Sequence, residues 1–207
     1  MQKDWIAPHR TALLLVDMQV DFASPDGAMA KAGHDVTAAQ AALANAAMLA
    51  KAARAIGVPC LFARLITRAG NETDMSREWK TRRGLDMNAP LCREGTWGAE
   101  FVGPQPLPGE AVFSKRRYDA FAGTSLDAHM RGLRRDTLVI AGLTTECCVD
   151  STARTAFERD YHVFIAKDAV AAYEPGLHQA ALKALELNCA ILADSGAISA
   201  VWEKSKL

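Results

Sequence analysis

Three kinds of reactive side chain stand where apolar runs end. Asp17 closes Leu13-Leu14-Leu15-Val16. Lys115 opens the cationic text Lys115-Arg116-Arg117 just after Phe113-Ser114. Cys147 and Cys148 follow Ile140-Ala141 by way of Gly142-Leu143-Thr144-Thr145-Glu146. A carboxylate can act as general base or proton shuttle. A cation beside a thiol stabilises the thiolate. A thiol at the start of a helix ionises more readily, and the free N–H groups there can hold an oxyanion. Adjacent helical residues point ~100° apart, so only one of the two cysteines faces a cleft squarely. A disulfide between neighbours is strained. Each feature has an ordinary structural alternative: a carboxylate capping a helix, a solvated basic run, cysteines acting as small core residues. Together, an acid, a base and a thiol suit nucleophilic attack on a carbonyl.

Convergence of the three requires a parallel sheet, and the pattern predicts one. Residues 11–17, 60–65, 110–113, 137–141, 161–166 and 189–192 read as six short buried strands. Helices are expected over 37–56, 125–132, 148–159, 176–187 and 197–204. The helix at 37–56 has a capping box from Thr37 and Gln40 and a stop at Gly57 and Pro59. Alternation of this kind predicts an α/β fold, a three-layer α/β/α arrangement that is doubly wound. Ligands bind beyond the carboxyl ends of such strands. Residues 67–109 break the alternation. They carry four prolines, Trp79, Trp97 and Phe101, too much apolar surface for plain disorder. A lid or subunit contact with a short helix near 76–83 is expected there.

Composition bounds the function. The 207 residues suit one domain spanning 1–207, with no repeat or linker to divide it. Lys plus Arg and Asp plus Glu are both 24, which argues against nucleic-acid and membrane-surface partners. Apolar runs such as 12–16 are too short to cross a bilayer. The N-terminus lacks the apolar core of a signal peptide, and five cysteines are an odd, sparse set. Free thiols in a reducing cytoplasm are expected. No Gly-rich turn follows Asp17, so a phosphate or dinucleotide cradle is missing. The five histidines (His9, His34, His129, His162, His178) show no ligand spacing, and neither a metal nor another cofactor is expected.

The motifs resemble the isochorismatase-like cysteine hydrolase family. The resemblance rests on Leu-Leu-Leu-Val-Asp17-Met-Gln-x-Asp-Phe22 and on Lys115 with Tyr118 and Phe121-x-Gly-Thr. It continues through Gly142-Leu-x-Thr145-x-x-Cys148-Val149-x-Ser-Thr152-Ala153-x-x-Ala156 and Lys167-Asp168-Ala169. The family implies a six-stranded parallel sheet between helical layers and assembly into homodimers or homotetramers. It implies an Asp–Lys–Cys triad on Asp17, Lys115 and Cys148, with Cys148 rather than Cys147 as nucleophile. It also implies an oxyanion hole from the backbone N–H groups of Thr144 and Cys148, and a cis Leu143–Thr144 peptide.

Departures from the pattern narrow the reaction. Nicotinamidases of the family carry Asp-x-His and a further His after the second strand. This chain has Arg64-Leu65-Ile66-Thr67-Arg68 there, which argues against a metal and nicotinamide. True isochorismatases lack the nucleophilic cysteine; its presence favours an amide or ureido carbonyl. Lys-x-Arg-Tyr-x-x-Phe is similar to ureidoacrylate-type amidohydrolases, and Tyr118 stands where biuret-type members place a second lysine. The expected substrate is a small linear ureide or carboxamide. Phe22, Trp97, Tyr118 and Phe121 are candidates to line its pocket. Gln19 and Arg117 are candidate polar anchors, and Arg64 a candidate partner for a carboxylate. A vinyl-ether hydrolase of the same fold, a redox protein using the Cys147–Cys148 pair and an inert scaffold are the competing readings.

Overall fold

The computed structural model describes residues 3–68, 74–84 and 90–204. The six apolar runs form β1 (Thr11–Val16), β2 (Cys60–Leu65), β3 (Ala111–Lys115), β4 (Thr137–Leu143), β5 (His162–Ala171) and β6 (Ile191–Ala193). They lie in the order β3-β2-β1-β4-β5-β6, and every neighbouring pair is parallel. The described helices are α1 (Val20–Ala23), α2 (Ala28–Lys31), α3 (Thr37–Ala55), α4 (Asp74–Arg82), α5 (Leu126–Gly132), α6 (Asp150–Glu158), α7 (Pro175–Asn188) and α8 (Ser195–Lys204). None is long and apolar enough to cross a membrane.

Strand alternation sends side chains into two apolar layers. Leu13, Leu15, Phe62, Val139 and Phe164 pack against α3 and α8, whose Ile198 and Trp202 are fully buried. Ala12, Leu14, Val16, Leu138, Ile140 and Ile165 pack against α5, α6 and α7. The buried stripe of α3 is mostly alanine (Ala39, Ala42, Ala46, Ala50, Ala53), so the helix lies close on the sheet. Helices on both faces of a wholly parallel sheet are the expected three-layer arrangement.

Several boundaries shift. β3 runs to Lys115, so the lysine ends the strand instead of following it. β5 continues to Ala171, with irregular pairing to β4 between Ile140 and Gly142. The last strand starts at Ile191 rather than Cys189. The expected Thr37–Gln40 capping box is absent: the Thr37 N–H donates to the Asp35 carboxylate at 2.9 Å, and Val36 occupies the cap position. The cysteines lie in a turn of π-helix over Thr145–Val149, ahead of α6.

Residues 90–103 are fixed rather than free. The Val20 N–H donates to the Glu100 carbonyl at 3.0 Å, and the Val102 N–H to the Met18 carbonyl at 2.9 Å. Thr67 bridges Arg93, and Gln19 bridges Phe101. Asp21 ties the segment from within, accepting from the Cys92 N–H at 2.7 Å while Gly98 leaves room for its carboxylate. This strap lies across the carboxyl rim beside Asp17. The other part of the expected lid, α4, buries no residue in the chain.

Candidate active site

β1 and β4 are neighbours at the centre of the sheet, where the chain turns to opposite sides. That crevice is the expected ligand position in a doubly wound fold. Asp17 leaves β1 in left-handed backbone geometry, φ 49°, rare for a non-glycine residue. Its N–H donates to the Ala63 carbonyl and its own carbonyl accepts from Gln19, both at 2.8 Å. On β4, Gly142 adopts φ 136°, and a Cβ there would stand 2.1 Å from the Val16 carbonyl oxygen. Only glycine lets the two strands stay together at this point. The next peptide, Leu143–Thr144, is cis.

The structure brings Asp17, Lys115 and Cys148 into contact. Lys115 Nζ lies 2.7 Å from Asp17 Oδ2, and both side chains are buried. Nζ also donates to the Arg117 carbonyl at 2.9 Å and contacts Cys148 Sγ at 3.5 Å. Three acceptors thus surround an ammonium that has three protons. Asp17 Oδ2 faces Lys115, while Oδ1 meets no hydrogen-bond donor among the described residues, so the carboxylate keeps unused acceptor capacity. Buried polar groups in this condition are rare, and a catalytic role is one physical reason for them.

Burial raises the Asp17 pKa above the ordinary carboxylate value, against the opposing pull of Lys115. Burial pushes the Lys115 ammonium the other way, but Asp17 and then Cys148 prevail and raise it. The hydrogen bond to Cys147 holds the Cys148 proton well above the usual thiol range; burial and Asp17 add to this, and Lys115 opposes. The same hydrogen bond lowers Cys147, against burial. For Cys148 this direction runs against the easily ionised thiol expected at a helix start. Its turn is π rather than the first turn of α6, and a carboxylate stands close by. The Thr144 carbonyl accepts from the Cys147 and Val149 N–H groups, both at 3.1 Å, and the second, five residues on, closes the wide π turn.

The candidate pocket residues divide. Tyr118 is exposed, and Cys147 and Cys148 are near enough to raise its phenol after burial does. Trp97 is exposed on the strap. Arg64 is engaged locally, its Nε donating to Ser114 Oγ at 3.1 Å and its guanidinium over the Phe101 ring. Gln19 and Phe121 are corrected. The buried Gln19 amide is committed to the Leu65 and Ala99 carbonyls, both at 2.9 Å, and to the Leu65 N–H at 2.8 Å. Phe22 packs in the α3 layer. Phe121 is buried and stacks on Tyr161, beside the amino end of β5 and away from the reactive rim. Arg117 reaches Lys115 through its carbonyl.

Sequence reasoning missed Cys92, Glu146 and Tyr173. Cys92 is fully buried, and its thiol is raised by burial and then by Asp17. The Tyr173 hydroxyl donates to the Phe22 carbonyl at 2.8 Å; its phenol is raised by burial, Glu146 and both Cys92 and Cys148. Tyr173 follows the observed end of β5, but the strand expected over 161–166 stops well short of it, so the sequence carried no signal for it. A cavity of about 170 Å³ opens beside Lys115, lined also by Ile66, Arg68, Ser114 and Arg116. A larger groove of about 480 Å³ lies at the other end of the strands, among Trp5, Phe157, His162 and Leu187, and touches none of the three central residues. Among the described residues, no group of three or more His, Cys, Asp or Glu side chains is placed to hold a metal.

The sequence model of the isochorismatase domain matches residues 11–197. The chain belongs to the isochorismatase family. It is 36% identical to the ureidoacrylate amidohydrolase RutB of Methylobacterium radiotolerans, covering 86% of this chain and 74% of that one. It is 34% identical to RutB of Pantoea ananatis, over 78% and 69% of the two chains. The fold matches a cysteine hydrolase from Pseudomonas syringae pv. phaseolicola with a TM-score of 0.83, at 24% identity over 97% and 96% of the chains. An N-carbamoylsarcosine amidase from Thermoplasma acidophilum matches with a TM-score of 0.72, at 25% identity over 90% and 96%.

Proposed function

We propose that this chain is a cysteine-dependent amidohydrolase that cleaves a non-peptide C–N bond in a small ureido or amide compound. The observation that carries the reading is the Lys115 ammonium lodged between Asp17 at 2.7 Å and Cys148 at 3.5 Å. The likeness to ureidoacrylate amidohydrolases supports a ureido carbonyl as the target. Asp17 takes the Cys148 proton, and the resulting thiolate attacks the carbonyl carbon. Backbone N–H groups of Thr144 and Cys148 hold the oxyanion, each worth ~3–4 kcal/mol in comparable sites. Asp17 returns its proton to the leaving nitrogen, and ammonia or an amine departs from a thioester. Water, deprotonated by the same carboxylate, then attacks the thioester, and the acid leaves as the thiol reforms. Lys115 stays charged throughout. Tyr118 and Trp97 border the substrate.

Five cysteines without a disulfide support a reducing, cytoplasmic setting. Assembly into a homodimer or homotetramer belongs to the same proposal, supported by exposed Met75 and Trp79 on α4. The test is ammonia release from a panel of small ureido acids and carboxamides by the wild-type chain and Cys148→Ala. The variant is expected to fold and to lose turnover. Undiminished hydrolysis by Cys148→Ala would refute the assignment.

A further inference from the structure

Thr145 opens the π turn, three positions before Cys148. Its side chain is fully buried, and its hydroxyl lies 2.9 Å from Nδ1 of His178. A buried hydroxyl without a partner costs roughly 1–3 kcal/mol, so the contact matters to the turn. His178 stands in the first turn of α7, where its N–H donates to the Glu174 carbonyl at 3.0 Å. Leu185 is the one fully buried residue of α7, and it lies two turns further on. Near the site, therefore, α7 is joined to the π turn by a polar contact.

The neighbouring residue braces the same turn. Glu146 accepts a hydrogen bond from the Thr144 hydroxyl at 3.0 Å. Its other oxygen is buried without a hydrogen-bond partner among the described residues, and its charge acts on His178, Tyr173 and Cys147. Thr144, Thr145 and Glu146 together hold the segment from which Sγ of Cys148 reaches Lys115.

We propose that His178 is a positioning residue of the hydrolase: through the Thr145 hydroxyl it fixes the π turn, and so fixes Cys148 against Lys115 and the substrate carbonyl. This rests on the amidohydrolase reading, but the arrangement can also be read without turnover. His178 acts on the turn through the Thr145 hydroxyl rather than on the thiol directly, so its loss should act on kcat rather than on KM.

The test compares His178→Ala, His178→Asn, His178→Gln, Thr145→Val and Thr145→Ser. Asparagine puts an amide near the position of Nδ1; glutamine puts it near Nε2. Measurements are kcat, KM and the rate at which iodoacetamide labels Cys148, located by tandem mass spectrometry. His178→Ala and Thr145→Val are each expected to lower kcat about 10- to 100-fold, the scale of a small misplacement of a reacting group, with KM changed by less than about threefold. Labelling of Cys148 should change in parallel. His178→Asn and Thr145→Ser should recover most of kcat, and His178→Gln should not. The Thr145→Val/His178→Ala double variant should be no worse than either single one, since both remove one contact. The proposal is overturned if His178→Ala keeps wild-type kcat, if His178→Asn is as poor as alanine, or if the two losses multiply. Should His178→Ala fail to fold, the Thr145 pair decides by the same criteria. A wild-type chain without C–N hydrolysis, but with labelling that follows this order of variants, would sink the amidohydrolase reading and leave the positioning role standing.

Discussion

Asp17→Asn removes one charge from a buried cluster and leaves the shape nearly unchanged. Lys115 then keeps the Arg117 carbonyl at 2.9 Å and Cys148 Sγ at 3.5 Å, but loses its anion. Stripping one partner from a buried ion pair costs about 3–5 kcal/mol when nothing replaces it. Here a replacement is at hand. At an effective dielectric of about 20, a thiolate at the Sγ position would attract the ammonium by roughly 5 kcal/mol before desolvation. Asp17 also raises the Cys148 pKa in the native site, and that effect goes with the carboxylate. Cys148 should therefore ionise at lower pH in the variant. The loss of stability should fall below that range and shrink as pH rises through the ionisation. Turnover should still drop about 10²–10⁴-fold, because no group remains to take and return the proton. The assay pairs ammonia release with the pH dependence of iodoacetamide labelling, using tandem mass spectrometry to separate Cys147 from Cys148. Urea denaturation at several pH values supplies the stability arm. Labelling of Cys148 that needs higher pH in Asp17→Asn than in wild type would refute the electrostatic reasoning. Hydrolysis above a tenth of wild type would refute the proton role.

Three further outcomes follow from the structure. Gly142→Ala places a Cβ 2.1 Å from the Val16 carbonyl oxygen in a backbone of φ 136°, and should cost at least about 3 kcal/mol in urea denaturation. Gln19→Ala removes an internal clamp between β2 and the strap. It should lower stability by about 1–3 kcal/mol without a selective rise in KM, whereas a selective KM effect would restore the anchor reading. Burial lowers the His178 pKa below 6.5, against Glu146, so the unfolded chain binds its proton first. The stability it contributes is present above pH 6.5 and is lost as pH falls from there through the lowered native value. A denaturation series from pH 7.5 downward should show that loss in wild type and less of it in His178→Asn.

The sheet was legible because its strands are buried on both faces and read as unbroken apolar runs, as in Leu13-Leu14-Leu15-Val16. Parallel strands put their carboxyl ends on one rim, which made Asp17, a cation of 115–117 and one thiol of the Cys147–Cys148 pair legible as neighbours; the family resemblance singled out Lys115 and Cys148. What failed depended on packing. Gln19 beside Asp17 looks like a ligand contact until the Leu65 and Ala99 carbonyls claim its amide. Phe121 lies within the motif text, yet it turns toward Tyr161. The π turn was missed because one extra residue in a helical turn leaves no periodic trace. His178 drew no attention because its meaning lies 33 positions away, at Thr145. Residues 67–109 were read as a lid or a subunit contact because Gly and Pro obscure the anchoring of 90–103 by Asp21 and Gln19 that only the fold reveals.

The raised pKa values of Asp17 and Cys148 fit one design. A standing thiolate beside a carboxylate would put two anions on one ammonium in a site without water's dielectric. A neutral thiol beside a carboxylate leaves one anion for one cation. If Asp17 takes the proton, the negative charge passes from oxygen to sulfur while both remain in contact with Lys115, and the net charge of the cluster does not change. Little reorganisation is needed, because the ammonium is already fixed by the Arg117 carbonyl. Arginine would serve less well here. Its planar fork suits paired oxygens, whereas this site asks a compact cation to face a carboxylate, a sulfur and a carbonyl in three directions. Lys115→Arg should therefore lose most hydrolysis despite retaining the charge. Near-wild-type kcat in that variant would show that charge alone, without the three-way geometry, is sufficient.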